Sequence, residues 1–435
     1  LTIHPAQALS TTTAKAIEGS APEVINIDLA ANKQGFTVNG VFYSEASNNI
    51  KGNEVKEFSG DLSPANFIVK NFYYNSLDNT LNYADKDGDG IDISKPFLLS
   101  FTSKQWYDGN GKLITDTSNT MGCGSSYPMP LTLEITTQVK TYSKYGIPRE
   151  SDYVPIVKRY KIAPKSELCA AKPNSAIIYP NNKWDGIDIS NDGVYVWNSP
   201  NYAQRNNKTG GGYSVDYLPD LGGFKPSNLS TGKTFPTTGF RYAKFQLLMT
   251  GSQTDYKYMI LSNHSKDIVD IDKNGFITLY KKPSGKVTAR AILKRDEKVT
   301  HDYSFEITAL WIVPQGDFVG SWQQAQNRCN GIQNVVTRKE LTNSPLINLQ
   351  VGAGSKPDDS FLSNSYTRSI DGTVLSEWGW ADENSYPNSG WRINIDYWSS
   401  DSHIDGQTQF IVHSHDGFIG WRRIESSNIT VACRG

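Results

Sequence analysis

The run Asp85-Lys-Asp-Gly-Asp-Gly-Ile-Asp92 sets carboxylates at Asp85, Asp87 and Asp89, with Gly90 in the sixth place and Asp92 just beyond. Oxygen donors at positions 1, 3 and 5 with glycine at 6 make the leading half of a calcium loop. The twelfth place, where an EF-hand needs a bidentate Glu, is Pro96, which excludes an EF-hand. A simpler calcium turn through Asp87, Asp89 and Asp92 stays open, beside the plainer reading of an acidic hairpin loop without metal. His413 and His415 are two apart on an expected strand, which would turn both to one face like a metal pair, with His403 and Asp405 a little upstream. Zinc needs further ligands that sequence does not place, and solvent-facing polar residues on an antiparallel strand are the plainer reading.

Covalent chemistry finds little purchase. There is no Gly-x-Ser-x-Gly elbow, no His-Glu-x-x-His and no phosphate-cradling loop, and the six histidines fall in no triad order. Glu377 and Asp382 are types that serve glycosidases, but that chemistry depends on a separation in space. A non-enzymatic protein is expected, with no required cofactor and calcium as an option.

The 435 residues suggest about three folding units, each able to bury a core. Lys plus Arg total 43 against 44 Asp plus Glu, so a net charge of -1 offers a polyanion no global field and nucleic acid is a poor partner. Aromatic residues at 11% are too many for a disordered chain. Apolar runs such as Ala309 to Val313 fall far short of the roughly 18 residues needed to span a bilayer. Beginning at Leu1 without a basic or apolar leader, the chain reads as a mature fragment whose membrane anchor lies elsewhere. Four cysteines without CxxC spacing suit two disulfides and an oxidising compartment.

Short alternating runs between Gly, Asn, Asp and Pro clusters predict strands through most of the chain. Residues 67–74, 131–139 and 153–160 are examples in a β-rich N-terminal region, 1–236, which could hold two subdomains joined near 180–236. A six-residue echo, Asp89-Gly-Ile-Asp-Ile-Ser and Asp185-Gly-Ile-Asp-Ile-Ser, is too short to prove a duplication. Between 237 and 314, strands at 243–249, 256–261, 276–280, 286–292 and 303–313 fit an Ig-like sandwich. Helix enters only after Pro314. Ser321 caps a stripe of Trp322, Ala325 and Cys329, and Thr337 with Glu340 has capping-box spacing. The segments Ser376-Glu-Trp-Gly-Trp, Tyr397-Trp-Ser-Ser, Gln409-Phe-Ile-Val and Asn428 to Cys433 read as strands of an α+β unit, 315–435. The fold class is therefore mainly β and multidomain.

The order Trp322-Gln-Gln-Ala-Gln-x-x-Cys329, Leu341-Thr-Asn, Ser376-Glu-Trp-Gly, Tyr397-Trp-Ser-Ser and Val431-Ala-Cys433 resembles the C-terminal lectin-like domain of the invasin and intimin family. Phe235-Pro-Thr-Thr-Gly-Phe, Val269-Asp-Ile-Asp-Lys-Asn-Gly-Phe-Ile-Thr and Lys286-Val-Thr-Ala are similar to the Ig-like domains preceding it in such adhesins. The resemblance covers roughly 235–435 and implies a Cys329–Cys433 bridge, leaving Cys123 to pair with Cys169. It also implies a bacterial surface adhesin, outer-membrane anchored in full length. Its lectin-like tip would bind a protein on a host or neighbouring cell, a glycan being the other option. Calcium-dependent sugar binding is disfavoured, because Glu383-Asn-Ser-Tyr-Pro387 is the nearest approach to the sugar motif and no Trp-Asn-Asp follows.

Within the tip, Trp380, Tyr386, Trp391, Arg422 and Arg423 are of hot-spot types, and Asp382, Glu383, Asp401 and Asp405 could meet a receptor cation from two expected exposed loops, 380–391 and 400–407. Trp378 and Trp398 are expected in the core. The alternative is a carbohydrate-binding or glycan-processing protein with its active surface in the N-terminal half. No coiled-coil heptads are visible, so a monomer is the default.

Overall fold

The computed structural model describes residues 18–72, 76–179, 211–344, 365–403 and 406–435. The echo at 185–190, the end of the strand expected at 67–74, and Asp405 lie wholly or partly outside them. The chain divides into two compact units, one ending at Lys165 and the other running Ser166–Gly435.

In the first unit the alternation of Leu131-Thr-Leu-Glu-Ile-Thr-Thr-Gln-Val buries every second side chain along strand Leu131–Thr141. That strand pairs antiparallel with Val154–Pro164 on one side and with Phe97–Leu99 and Ser103–Tyr107 on the other. Leu131, Leu133 and Ile135 pack with Phe36, Phe67, Trp106 and Tyr160, so an aromatic core sits on one face of this sheet.

The second unit has a six-stranded sheet in the order 217–218, 223–224, 168–173, 243–249, 276–279, 269–271, and a three-stranded sheet of 256–260, 287–293 and 300–305. Phe245, Leu247, Ile277 and Leu279 from the first share a core with Val287, Ala289, Tyr303 and Phe305 from the second, as in a β-sandwich. The boundary expected near 236 falls inside this sheet, because Leu168–Pro173 pairs with Ala243–Met249 and Gly223–Phe224 pairs with Leu168–Pro173. The single strand expected at 303–313 is two: Thr300–Phe305 belongs to the three-stranded sheet, and Leu310–Pro314 crosses to another.

That other sheet runs in the order 238–240, 310–314, 430–434, 396–402, 408–413, 419–423. Helices Trp322–Arg328 and Arg338–Leu341 start at Ser321 and Thr337 with reciprocal capping boxes to Gln324 and Glu340. Trp322, Ala325 and Cys329 pack on Trp398, Val431 and Cys433. No cysteine is free: Cys123 and Cys169 are each disulfide-bonded, and Cys329 bonds Cys433 across a sequence separation of 104, with Cα atoms 5.4 Å apart.

The segment Ser376-Glu-Trp-Gly-Trp is not a strand. It ends the helix Val374–Trp378, all five of whose residues are buried. A helix buried on every side has no polar face, so its sequence lacks the amphipathic period that would have announced it.

Candidate functional site

Two motifs far apart in sequence meet in the core of the second unit. Trp378 stands 5.0 Å from Phe235 and 5.3 Å from Phe240, ring centre to ring centre, and Phe240 also meets Tyr386 at 5.2 Å and Trp391 at 5.7 Å. Glu377, fully buried, accepts from the backbone N–H groups of Thr237 and Thr238 at 2.9 Å each, and from both threonine hydroxyls. Burial pushes its carboxyl up to about 7, and the Thr237 and Thr238 hydrogen bonds hold it from rising further. Glu377 is thus held as a structural clasp by Thr237 and Thr238. Asp382 is buried and accepts from Ser385 N at 2.7 Å.

Arg368, also fully buried, lies beneath this helix. It donates to Ser175 O at 2.9 Å and Glu377 O at 3.0 Å, and its guanidinium stacks over Tyr217. Gly379 ends the helix at φ +75, where an added Cβ would sit 1.9 Å from the Arg368 guanidinium. Gly379→Ala should therefore cost about 2–3 kcal/mol from backbone strain and displacement of a buried cation. Denaturant unfolding will read this as a lower midpoint at unchanged slope.

The same packing corrects part of the expected contact surface. Tyr386 and Trp391 are core residues, 0% and 2% exposed, and Asp382 is 2% exposed. The segment 380–391 reads as a loop from its Asn, Ser and Pro, yet its aromatics fill the space against Phe240. Asp401 lies in strand Asp396–Ser402, accepting from Arg338 N and Ser399 Oγ at 2.7 Å each. Arg422 is exposed and pairs with Asp396 at 2.7 Å, and exposed Arg423 lies 3.8 Å from Glu425. Trp380 is half-buried against the His415 ring.

Glu383 remains exposed, on the rim of a cleft of about 540 Å³ lined by Pro314, Gly316, Asp317, Gly390, Trp391, Arg392 and Ile393. Its walls approach at two glycines: a Cβ on Gly316 would stand 2.4 Å from Gly390 O. Ile393 is 50% exposed, so an apolar side chain stands in water beside two carboxylates and Arg392. Asp317 is braced by Arg328 at 2.7 Å, and Glu383 accepts from Asn388 N at 2.8 Å. Sequence reasoning missed Asp317, Arg392 and Ile393, which no motif marks. Their signal is only that they flank glycines that let two segments touch.

In the acidic loop Asp87 bears on both Asp85 and Asp89, and backbone amides engage part of the carboxylate set. Asp85 accepts from the backbone of Gly88, Asp89 and Gly90, and the Gly90 bond leads the causes that lower its pKa. Asp92 is taken by Ser94, at 3.0 Å from N and 2.6 Å from Oγ. The loop's own backbone thus engages Asp85 and Asp92, while Asp87 accepts from Ser20 N outside the loop. Among the described residues, the group of three or more His, Cys, Asp or Glu with ligand atoms within 4.8 Å of one another is His413, His415 and Asp416. His403 is elsewhere, stacked on Trp421 and bonded to Thr408.

Residues 223–305 match the family model for invasin domain 4. Among solved structures the chain is similar to invasin, a bacterial integrin-binding protein, at 15% identity and TM-score 0.37, over 82% of this chain and 62% of that one. It is similar to the C-terminal 282-residue fragment of intimin, solved in complex with the translocated intimin receptor, at 13% identity and TM-score 0.32, over 82% and 95%. Intimin-190 from enteropathogenic E. coli matches at 17% identity and TM-score 0.25, over 46% and 90%. The chain spans about 62% of the length of the invasin structure, and no curated protein matches it. The domain matched at 223–305 takes in the sandwich strands from Gly223–Phe224 to Thr300–Phe305. Over that stretch the chain is similar to an invasin domain 4.

Proposed function

We propose that this chain is part of a bacterial surface adhesin, with an Ig-like spacer and a C-terminal lectin-like module that attaches the cell to a protein on a host or neighbouring cell. The invasin-type domain supports the class. The observation that carries the contact surface is the cleft beside Gly390, whose lining includes exposed Ile393 together with the carboxylates Asp317 and Glu383. An apolar anchor flanked by acidic groups suits a protein loop that presents a cation next to an apolar side chain. Invasin binds integrin, and intimin is seen with its own receptor; only the broad class of partner, a protein on another cell, is carried over. The role is recognition, with no catalytic step assigned.

The test uses the full chain on cultured host cells. Ile393→Asp and Glu383→Lys should each weaken binding about tenfold or more, the size of a hot-spot loss, while circular dichroism stays unchanged. Wild-type binding that both variants retain would remove the cleft from the proposal. Binding competed by free glycans instead would favour a carbohydrate-binding function carried by the N-terminal half.

A further inference from the structure

We propose that the turn after strand Thr408–His413 is a binding site for a divalent transition metal, zinc by geometry, held by His413, His415 and Asp416. The hairpin closes tightly: His413 N donates to Phe418 O and Gly417 N to His413 O, both at 2.9 Å, and strand Ile419–Arg423 follows at once. His413 therefore ends a strand while His415 and Asp416 occupy the turn itself. The side chains come together through the turn rather than through strand alternation.

Residues outside the hairpin hold the turn in place. Ser414 N donates to Ile395 O at 3.0 Å, the Tyr179 hydroxyl donates to His415 O at 2.8 Å, and Tyr366 N donates to Asp416 O at 2.9 Å. Gly417, at φ +75, lies so close to Thr342 that a Cβ would stand 2.6 Å from its hydroxyl. Such outside anchoring fixes ligands before the ion arrives, which lowers the entropy cost of binding.

The distances suit zinc. Ligands about 2.0–2.1 Å from a tetrahedral ion stand about 3.3 Å apart; His413 Nδ1 and Asp416 Oδ1 are 3.3 Å apart, and all three ligand atoms lie within 4.8 Å. Asp416 Oδ1 also accepts from Phe418 N at 2.9 Å, an outer bond that aims the carboxylate. The site is neither buried nor open: the side chain of His413 is 22% exposed and that of Asp416 32%. His415 packs on Trp380, ring centres 3.9 Å apart, and the Trp380 indole N–H is buried with no hydrogen-bond partner among the described residues. Such a donor could serve a water or anion on the ion. Asp396 and Asp382 also act on the two histidines, and Arg422, the nearby cation, is occupied by Asp396. With three protein ligands, the fourth position falls to water or to a partner's side chain.

The test titrates the full, chelator-treated chain with Co²⁺ and then Zn²⁺. One equivalent of Co²⁺ should give visible absorption that Zn²⁺ abolishes. His415→Ala and Asp416→Asn should each weaken Zn²⁺ binding tenfold or more, and His264→Ala should leave it unchanged. Asp416→Asn keeps an acceptor for Phe418 N–H, so its fold survives even if a His413 variant misfolds. No saturable binding by the wild type, or equal affinity in His415→Ala and Asp416→Asn, would overturn the proposal.

Discussion

Glu377→Ala is expected to destabilise the second unit by about 3–5 kcal/mol, the cost of breaking a buried polar cluster by removing one partner. It leaves the N–H groups of Thr237 and Thr238 without their acceptor inside a core of Phe235, Phe240 and Trp378. Glu377→Gln should behave differently. Its amide oxygen can take the place of Oε2, which accepts from both N–H groups and the Thr238 hydroxyl, while its NH₂ donates to the Thr237 hydroxyl. A protonated Glu377 makes the same set of bonds. Because the folded pKa is raised from 4.5 to about 7, folded and unfolded chains both hold the proton below about pH 4.5, where this group contributes its full stability. As pH rises the unfolded chain releases its proton first, so stability falls until the folded group also ionises near 7, a loss on the order of 3 kcal/mol from this carboxyl. Unfolding curves at pH 4.5, 6 and 8 check this: the decline should flatten in Glu377→Gln. An equal decline in that variant would move the effect to another group.

The second large effect is expected from Cys329→Ser with Cys433→Ser. Opening a loop of 104 positions frees unfolded-chain entropy worth about 4–5 kcal/mol at 25 °C in the chain-entropy model. Strand Thr430–Arg434 pairs with both Leu310–Pro314 and Asp396–Ser402, so releasing its anchor weakens two ladders at once. Thermal unfolding should shift downward, and proteolysis should begin near the C-terminus while residues 131–164 stay protected. Cleavage starting in 131–164 instead would contradict this order.

How far the sequence speaks depends on whether a feature is local. Strand Leu131–Thr141 is legible because one face meets the core and the other meets solvent, so its side chains alternate. The starts of helices Trp322–Arg328 and Arg338–Leu341 are legible because a capping box is complete within four residues. Helix Val374–Trp378 is not, since tertiary burial on all sides erases its period. Tyr386 and Trp391 misled for the opposite reason: polar and turn-forming neighbours mark irregular backbone, and irregular backbone is usually exposed, but here it folds over Phe240. Of the candidate contact residues, Glu383 carried through into the cleft. Asp317 joins it only because Gly316 and Gly390 touch, a meeting of segments more than seventy positions apart by their numbers. The His413, His415 and Asp416 cluster is half legible, with the two histidines visible by spacing and Asp416 joined to them by the turn.

Strand Leu310–Pro314 joins Thr238–Phe240 on one side and Thr430–Arg434 on the other, so a single sheet crosses what the sequence divides into two modules. For gene recombination this makes the two a single heritable cassette. A crossover at residue 314 would leave raw strand edges on both products, an invitation to aggregation. A crossover between Lys165 and Ser166, where the compact units divide, cuts none of the described strand ladders.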